Sequence, residues 1–406
     1  MNKIQENKIP DGWKIEKIEN WIYKKWKVPK NIKESPVKWF INYLTPEYLR
    51  WNTILSEYVE KNSSVLSYDY DLLILWDWSN AWEIFKGKTW AISSTMVKLT
   101  INKIDKKFLF YFFKNSEHII KTWTKWSGIP HADKDIINWI NFIIPSSLKE
   151  QQKIAEILST VDDAIEKTDA LIKKYKKIKT GLMEDLFTKW IDLKTGKPHT
   201  KFKESELGKI PESWEVDSIW NTFSWIWSWT TPKADNPLYY NIWTINWLNT
   251  WDLTNWIISQ CKKKVSKIAI EKFSSLKIYN KWALVIAMYG ATIWKLWLLD
   301  IKACTNQACC VLYKSNNINI KYAFYYFAKN KDYLISLWSW AWQPNISQII
   351  IKWFKIIFPN IKEQEAIADI LEGADENIER EVEYKEKLEK IKRGLMEDLL
   401  SGKVRV

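Results

Sequence analysis

EQQKIAEILSTVDDAIEKTDALIKKYKKIKTGLMEDL at 150–186 returns as EQEAIADILEGADENIEREVEYKEKLEKIKRGLMEDL at 363–399, with about half of the positions identical at a constant offset. Both read as long helices. Ile154, Leu158, Val161, Ile165, Ile172, Tyr175, Leu182 and Leu186 keep a three-four spacing with lapses, and Ile367, Leu371, Ala374, Ile378, Lys385, Leu388, Leu395 and Leu399 do likewise. Such a stripe wants a partner, and the other copy, packed antiparallel, is the expected one. Helix packing is assigned to Ile154, Leu158, Val161, Ile165, Ile367, Leu371, Ala374 and Ile378. A helix of this length spans roughly 55 Å at ~1.5 Å per residue. Gly181 and Gly394 fall at matching places, where a glycine costs ~1 kcal/mol in helix stability, and predict a bend or a close approach.

The segments upstream of the two helices also echo each other. IPDGWKIEKI at 9–18 recurs as IPESWEVDSI at 210–219, and SGIPH before Pro145 has its counterpart in AWQPN before Pro359. A period near two hundred residues is too long for a solenoid. Duplication of a whole domain with its helix is the simpler reading, and two similar units can be related by an approximate two-fold axis with a bipartite target. Short β-branched and aromatic runs, such as LLILW at 72–76 and ALVIAMY at 283–289, are followed by amphipathic pieces in both copies, which predicts an α/β domain with a curved mixed sheet. The predicted fold is thus two similar α/β domains, 1–149 and 210–361, with helices at 150–188 and 362–406 that join and space them as an antiparallel coiled coil. The polar segment 189–209 has turn signals and no apolar period, and is assigned as a linker.

The composition is anomalous: 29 Trp stand against 10 Gly in 406 residues, the reverse of the usual balance. Many of the Trp sit where turn chemistry asks for Gly, among them Trp227, Trp229, Trp251, Trp282, Trp338, Trp340 and Trp342. Aligning the halves sets Trp78 against Gly290 and Trp342 against Gly128. One reading is a source that decodes UGA as glycine; the other is a Trp-rich surface for stacking bases. The codons at Trp227, Trp251 and Trp294 separate them, with Trp13, Trp214 and Trp247 expected to be true tryptophans and Trp76 and Trp225 undecided.

Net charge is +13, unevenly placed. The stretch 150–186 holds seven basic and eight acidic residues and 363–403 holds seven and thirteen, which leaves +20 for the rest. A polyanion is drawn to the globular segments, and the helices are free to meet protein. No run of about 18 apolar residues appears and no charged-then-apolar leader precedes Ile9, so the expected location is cytoplasmic. Cys261, Cys304, Cys309 and Cys310 lack metal-ribbon spacing and read as buried thiols.

EQxxIAxIL after a proline, GLMEDLL followed by SGKVRV, the IPxxW start of each half, and TTPxxxxxYY, INWLNTWDL, AMYGATIWKLW and QPNIS together resemble the specificity subunit of type I restriction-modification systems, over nearly the whole chain. The resemblance implies two target-recognition domains binding the halves of a bipartite DNA sequence. It also implies helices that set the spacing and dock two modification subunits, with restriction subunits as further partners. No cofactor is expected in this chain: S-adenosylmethionine, ATP and Mg²⁺ belong to the partners, and no catalytic or metal-ligating residue is assigned here.

Base edges are read by paired donors and acceptors, and phosphates by lysines and backbone N–H groups. The candidates in the second domain are Thr230, Thr231, Lys233, Asn249, Thr250, Tyr289, Thr292, Lys295, Gln343, Asn345 and Ser347. Repeat correspondence adds Ser79, Asn80, Lys86, Lys88, Ser94, Thr95, Lys125 and His131 in the first. Candidates for the partner interface are Leu182, Met183, Glu184, Asp185, Leu395, Met396, Glu397 and Asp398.

The alternative is a stand-alone ATPase or methyltransferase. With Gly at 82, residues 82–89 would satisfy the phosphate-loop spacing, yet WAISSTMVKLTI follows and reads as strand where that loop needs a helix. NPLYY at 236–240 resembles a methyltransferase catalytic loop only superficially. His118, His131 and His199 are scattered without a nucleophile nearby.

Overall fold

The computed structural model of the chain describes residues 9–17, 21–25, 29, 31–51, 57–77, 80–122, 141–189, 191–193, 195–226, 231–233, 236–240, 244–249, 256–288, 292–313, 315–336 and 348–406. The chain forms two compact units, Met1–Leu171 with Glu381–Val406, and Ile172–Arg380. The unit boundaries therefore fall inside the long helices Leu148–Thr188 (the central helix) and Ile361–Leu400 (the final helix), not at their ends.

The first unit holds β1 (Trp13–Lys17), β2 (Trp21–Lys25), β3 (Ile32–Lys33), β4 (Phe40–Leu44), β5 (Tyr58–Glu60), β6 (Leu72–Leu75), β7 (Ile84–Lys86), β8 (Ala91–Ile92), β9 (Met96–Ile101) and β10 (Asn141–Pro145). They assemble as sheets ordered β2-β9-β6-β7 and β3-β5-β4-β8, plus the antiparallel pair β1-β10. β6 is buried along its whole length, which is why LLILW is continuously apolar instead of alternating. Helix Lys106–Thr122 follows, capped by Asp105, whose carboxylate accepts from the backbone N–H groups of Lys107 and Phe108 at 3.0 and 2.9 Å.

The described residues of the segment 189–209, read as a linker, carry short strands. They fold into two short hairpins, β11 (Ile191–Asp192) with β12 (Lys197–Pro198), and β13 (Phe202–Ser205) with β14 (Gly208–Pro211). The turn signals in that stretch are hairpin turns, too short to leave a periodic apolar pattern.

The second unit repeats the plan with β15 (Glu215–Ser218), β16 (Trp225–Ile226), β17 (Ile245–Leu248), β18 (Ile257–Ile258), β19 (Lys263–Val265), β20 (Leu284–Ala287), β21 (Leu296–Leu299), β22 (Ala303–Thr305), β23 (Cys309–Tyr313) and β24 (Lys355–Phe358). The large sheet runs β16-β23-β20-β21-β18, the small one β19-β17-β22, and β15 pairs with β24 as β1 does with β10. Helix Ile320–Lys329 is capped by Asn319 through the N–H groups of Lys321 and Tyr322. Cys304, Cys309 and Cys310 are buried thiols.

The glutamine of each EQ dipeptide stitches its helix to its domain. Gln151 accepts from Asp105 N and donates to Pro145 O, at 3.0 and 2.9 Å; Gln364 accepts from Asn319 N and donates to Pro359 O, both at 2.8 Å. The preceding glutamates hold the domain's first tryptophan segment. Glu150 accepts from the Trp13 indole at 3.3 Å and pairs with Arg405, and Glu363 faces His199 at 3.4 Å. Gly402, at φ +74°, lies so close to Pro10 and Trp13 that a Cβ would stand 2.6 Å from Pro10 Cγ, so only glycine lets the residues after the final helix lie there.

In each unit the helix segments also seal the domain. In the first unit Ile154, Ala155 and Leu158 of the central helix share a core with Phe108, Tyr111, Phe113 and Phe142 of the domain, and Met396, Leu399 and Leu400 of the final helix complete it. In the second, Ile367, Ala368 and Leu371 pack with Tyr322, Tyr325 and Phe358, completed by Leu186 and Phe187. Val161, Ile165, Ala374 and Ile378 are only half-buried. The first turns of each stripe meet a domain as well as the last turns of the other helix. Gly181 and Gly394 have nothing within 4 Å of a built Cβ, so no close approach explains them.

Candidate nucleic-acid interface

In the second unit, backbone hydrogen bonds draw four loop segments together at one end of the two sheets. Asn306 N donates to Leu248 O at 3.3 Å, which ties the β22–β23 turn to the end of β17. Met288 N donates to Ala308 O at 2.8 Å, which brings in the end of β20. Gln307 N reaches Thr231 Oγ1 at 3.5 Å. Thr231, Asn249, Gln307 and, across the β20–β21 hairpin, Thr292 and Lys295 thus line one loop cluster, with Gln307, Thr231 and Lys295 exposed.

The first unit builds the same cluster. Ser93 N donates to Leu44 O at 3.0 Å and Trp76 N to Thr95 O at 2.8 Å, the counterparts of the first two bonds above. Ser94 N donates to Tyr43 Oη at 3.1 Å, and the Ser93 and Thr95 hydroxyls lie 2.8 Å apart. Asn80 is exposed on the β6–β7 turn.

Of the residues assigned from sequence, Asn80, Ser94, Thr95, Thr231, Asn249, Thr292 and Lys295 fall in these clusters. Lys233 is exposed beside Thr231. Lys88 lies against aromatics, its Nζ 4.9 Å from the Tyr48 ring centroid and 3.4 Å from the Tyr48 hydroxyl. Lys86 does not belong to the cluster: it pairs with Glu166 of the central helix at 3.2 Å and lies 4.5 Å from the Tyr70 ring centroid. Burial pulls the Lys86 ammonium down, but Tyr70, Glu166 and Asp69 outweigh it and raise the group above the ordinary lysine value, so it stays charged as a domain-to-helix tie. Ser79, Lys125, His131, Thr230, Thr250, Tyr289, Gln343, Asn345 and Ser347 lie outside the described residues.

Sequence reasoning missed Gln307 and its neighbour Asn306. The signal was present, since ACTNQACC at 303–310 interrupts an apolar run with two amides opposite Ser93 and Ser94 in the repeat. It also missed the exposed lysines Lys263 and Lys264 on β19 with Lys267 just beyond, charges of the kind that hold phosphates. The phosphate-loop spacing at 82–89 leads into β8 at Ala91, and no helix begins there. Among the described residues, no group of three or more His, Cys, Asp and Glu side chains is placed to hold a metal ion, and no helix is long and apolar enough to cross a membrane.

The LMED stretches correct another expectation. Leu182 and Met183 pack against the core of the second unit; Met396 is buried in that of the first, with Leu395 beside it. Their apolar groups face inward because each helix must seal a domain with its last turns. Glu184, Asp185, Glu397 and Asp398 stay on the outer side, where Glu184 pairs with Lys329, Asp185 with Lys189 and Asp398 with Lys403.

Each unit also pins its helix segments with ion pairs. Asp162 faces Lys392 at 2.5 Å and Asp169 faces Lys385 at 2.8 Å in the first unit, so the two segments run in opposite directions there. In the second, Lys179 faces Asp375 at 2.6 Å. The Tyr111 hydroxyl donates to Asp162 at 2.6 Å and the Tyr325 hydroxyl to Asp375 at 2.9 Å. Burial, then these carboxylates, push both phenols well above the ordinary tyrosine value, so both remain donors.

Comparison with known proteins agrees with this duplicated plan. The model of the type I restriction modification DNA specificity domain matches residues 10–174 and again 228–390. The MjaVIII type I restriction enzyme specificity subunit of Methanocaldococcus jannaschii is 34% identical over 418 residues, covering 98% of this chain and 94% of the relative. The putative MjaX specificity subunit of the same organism is 28% identical, covering 80% and 75%. Among solved structures, the type I restriction-modification S subunit from M. genitalium superposes with a TM-score of 0.66 over 97% of both chains at 12% identity, a likeness of fold.

Proposed function

Because the chain belongs to the family of type I restriction-modification specificity subunits, we propose that it reads a bipartite DNA target with one loop cluster per unit and docks the subunits that modify and cut. The observation that carries this reading is the recurrence, in both units, of the same loop convergence with a polar turn at its centre: Ser93–Ser94–Thr95 in one, Asn306–Gln307 in the other. Amides and hydroxyls on a sheet end supply the donor and acceptor pairs that base edges need, and the exposed lysines around them supply phosphate contacts.

The long helices, on this reading, form an antiparallel coiled coil that relates the units by an approximate two-fold axis and fixes the number of unread base pairs between half-sites. The outward carboxylates Glu184, Asp185, Glu397 and Asp398 are the remaining candidates for the partner interface, now without the leucines and methionines beside them. Methyl transfer from S-adenosylmethionine and ATP- and Mg²⁺-dependent cleavage would be supplied by modification and restriction subunits in the cytoplasm.

A reconstitution assay tests this. The purified chain with S-adenosylmethionine should transfer no methyl groups to DNA, and adding a modification subunit of the same system should restore transfer at one gapped motif. Methylation by the chain alone would overturn the reading in favour of a stand-alone enzyme. DNA affinity in the same assay should fall with salt, log K against log salt having a slope of about −0.9 for each phosphate neutralised.

A further inference from the structure

Asp162 and Asp375 occupy the same place in the two long helices, and each gathers the same pair of groups. Asp162 receives the Tyr111 hydroxyl from the domain helix and the Lys392 ammonium from the final helix; Asp375 receives Tyr325 and Lys179, the latter from the central helix. The helices exchange roles: each provides the carboxylate in one unit and the lysine in the other. The lysines also lie over the tyrosine rings, at 5.9 Å from the Tyr111 centroid and 5.2 Å from that of Tyr325. Asp375 is 8% exposed and Tyr325 fully buried, so the group is held away from competing water.

Three elements meet at a single carboxylate in each unit: the helix that carries it, the opposite helix and the recognition domain. Apolar packing alone lets a domain slide by small rotations on a helix pair, since dispersion is non-directional. A short hydrogen bond and an ion pair on one carboxylate are directional and remove that freedom. We propose that these two nodes are positioning residues for DNA recognition, setting the angle of each domain on the helices and so the register between the half-sites. This rests on the bipartite reading above.

The test uses the full chain with its modification partner in a host lacking the system, with the methylated motif mapped by long-read sequencing. Tyr325→Phe removes one hydroxyl and keeps the ring. The expected result is an unchanged pair of half-sites with methylation spread to gaps one base pair longer or shorter, at least tenfold above the parent chain, and Tyr111→Phe should behave alike. A single unchanged gap in both variants, with only a lowered melting temperature, would reduce the nodes to stabilisers and overturn the proposal. The parent chain is the control that separates the two ideas: a motif without any gap would sink the bipartite reading itself.

A second inference stands on separate observations. Trp82 and Trp294 lie at equivalent turns, between β6 and β7 and between β20 and β21. Both have positive φ, 71° and 60°, and both donate backward to the strand before the turn, Trp82 N to Leu75 O at 2.8 Å and Trp294 N to Ala287 O at 2.9 Å. Both indoles are buried with an N–H that has no hydrogen-bond partner. An L residue with a bulky side chain rarely adopts that backbone, glycine does so freely, and a buried unmet donor is costly. Trp39, at φ 74°, is 69% exposed on a turn before β4. Trp282, at φ 67°, carries less weight, because its repeat mate Tyr70 has φ 59°.

We infer that glycine is the natural residue at 39, 82 and 294, the codon being a UGA that the source reads as glycine. Reading the source gene decides it: UGA is expected at these positions and UGG at Trp13, Trp214 and Trp247, and UGG at Trp82 or Trp294 would overturn it.

Discussion

Adding one heptad to both long helices where the units divide, between Leu171 and Ile172 and between Arg380 and Glu381, should widen the gap in the methylated target by about three base pairs. Seven residues add ~10.5 Å of helix at ~1.5 Å each, against ~3.4 Å of duplex per base pair. Seven residues also come within ~20° of two whole turns, so faces keep their direction. The ion pairs Asp162–Lys392, Asp169–Lys385 and Lys179–Asp375 each lie on one side of the insertion or the other and survive it. The bases of each half-site should not change, because neither loop cluster is touched. A heptad in one helix alone should not widen the gap, because the other helix still connects the units at its original length. Genomic methylation mapping reads both results. Altered half-sites, or an unchanged gap after the double insertion, would remove the spacing role from the helices.

Leu371→Ala should cost ~2–5 kcal/mol, and so should its repeat mate Leu158→Ala, the range for emptying a closed leucine site. Each side chain is fully buried where a long helix meets its domain, Leu371 in the core with Tyr322 and Phe358, Leu158 in the core with Phe113 and Phe142. For a unit of about 200 residues this lowers the melting temperature by ~2–4 °C per kcal/mol. Val382, 38% exposed on the final helix, is the control, and Val382→Ala should stay within ~0.5 kcal/mol. Scanning calorimetry should show Leu158→Ala acting on one unit and Leu371→Ala on the other, since the two leucines belong to separate cores. A Leu371→Ala loss no larger than that of Val382→Ala would mean that the helix does not seal the domain.

Much of this was legible beforehand where the signal is local or repeated. The duplication, the two long helices, the apolar strands and the domain starts at IPDGW and IPESW all lie in short stretches whose periodicity or identity can be read directly. Gln307 could have been found by carrying the repeat from Ser94 forward as well as backward. Lys86 could not have been removed from the interface by any local rule, because its partner Glu166 is eighty positions away. The hairpins at 191–211 escaped because strands of two to four residues leave no period.

The amino-acid string by itself determined that the molecule is doubled, that each copy ends in a long amphipathic helix, and that basicity belongs to the domains. Only the tertiary structure decided what the helices seal. It turned Leu182, Met183, Leu395 and Met396 inward, made Asp162 and Asp375 junctions for three elements, and divided both helices between two units. The reason is physical. A heptad-like stripe records that a helix has an apolar face, but which surface covers that face depends on contacts between residues some two hundred positions apart, and their identity is written in no single segment.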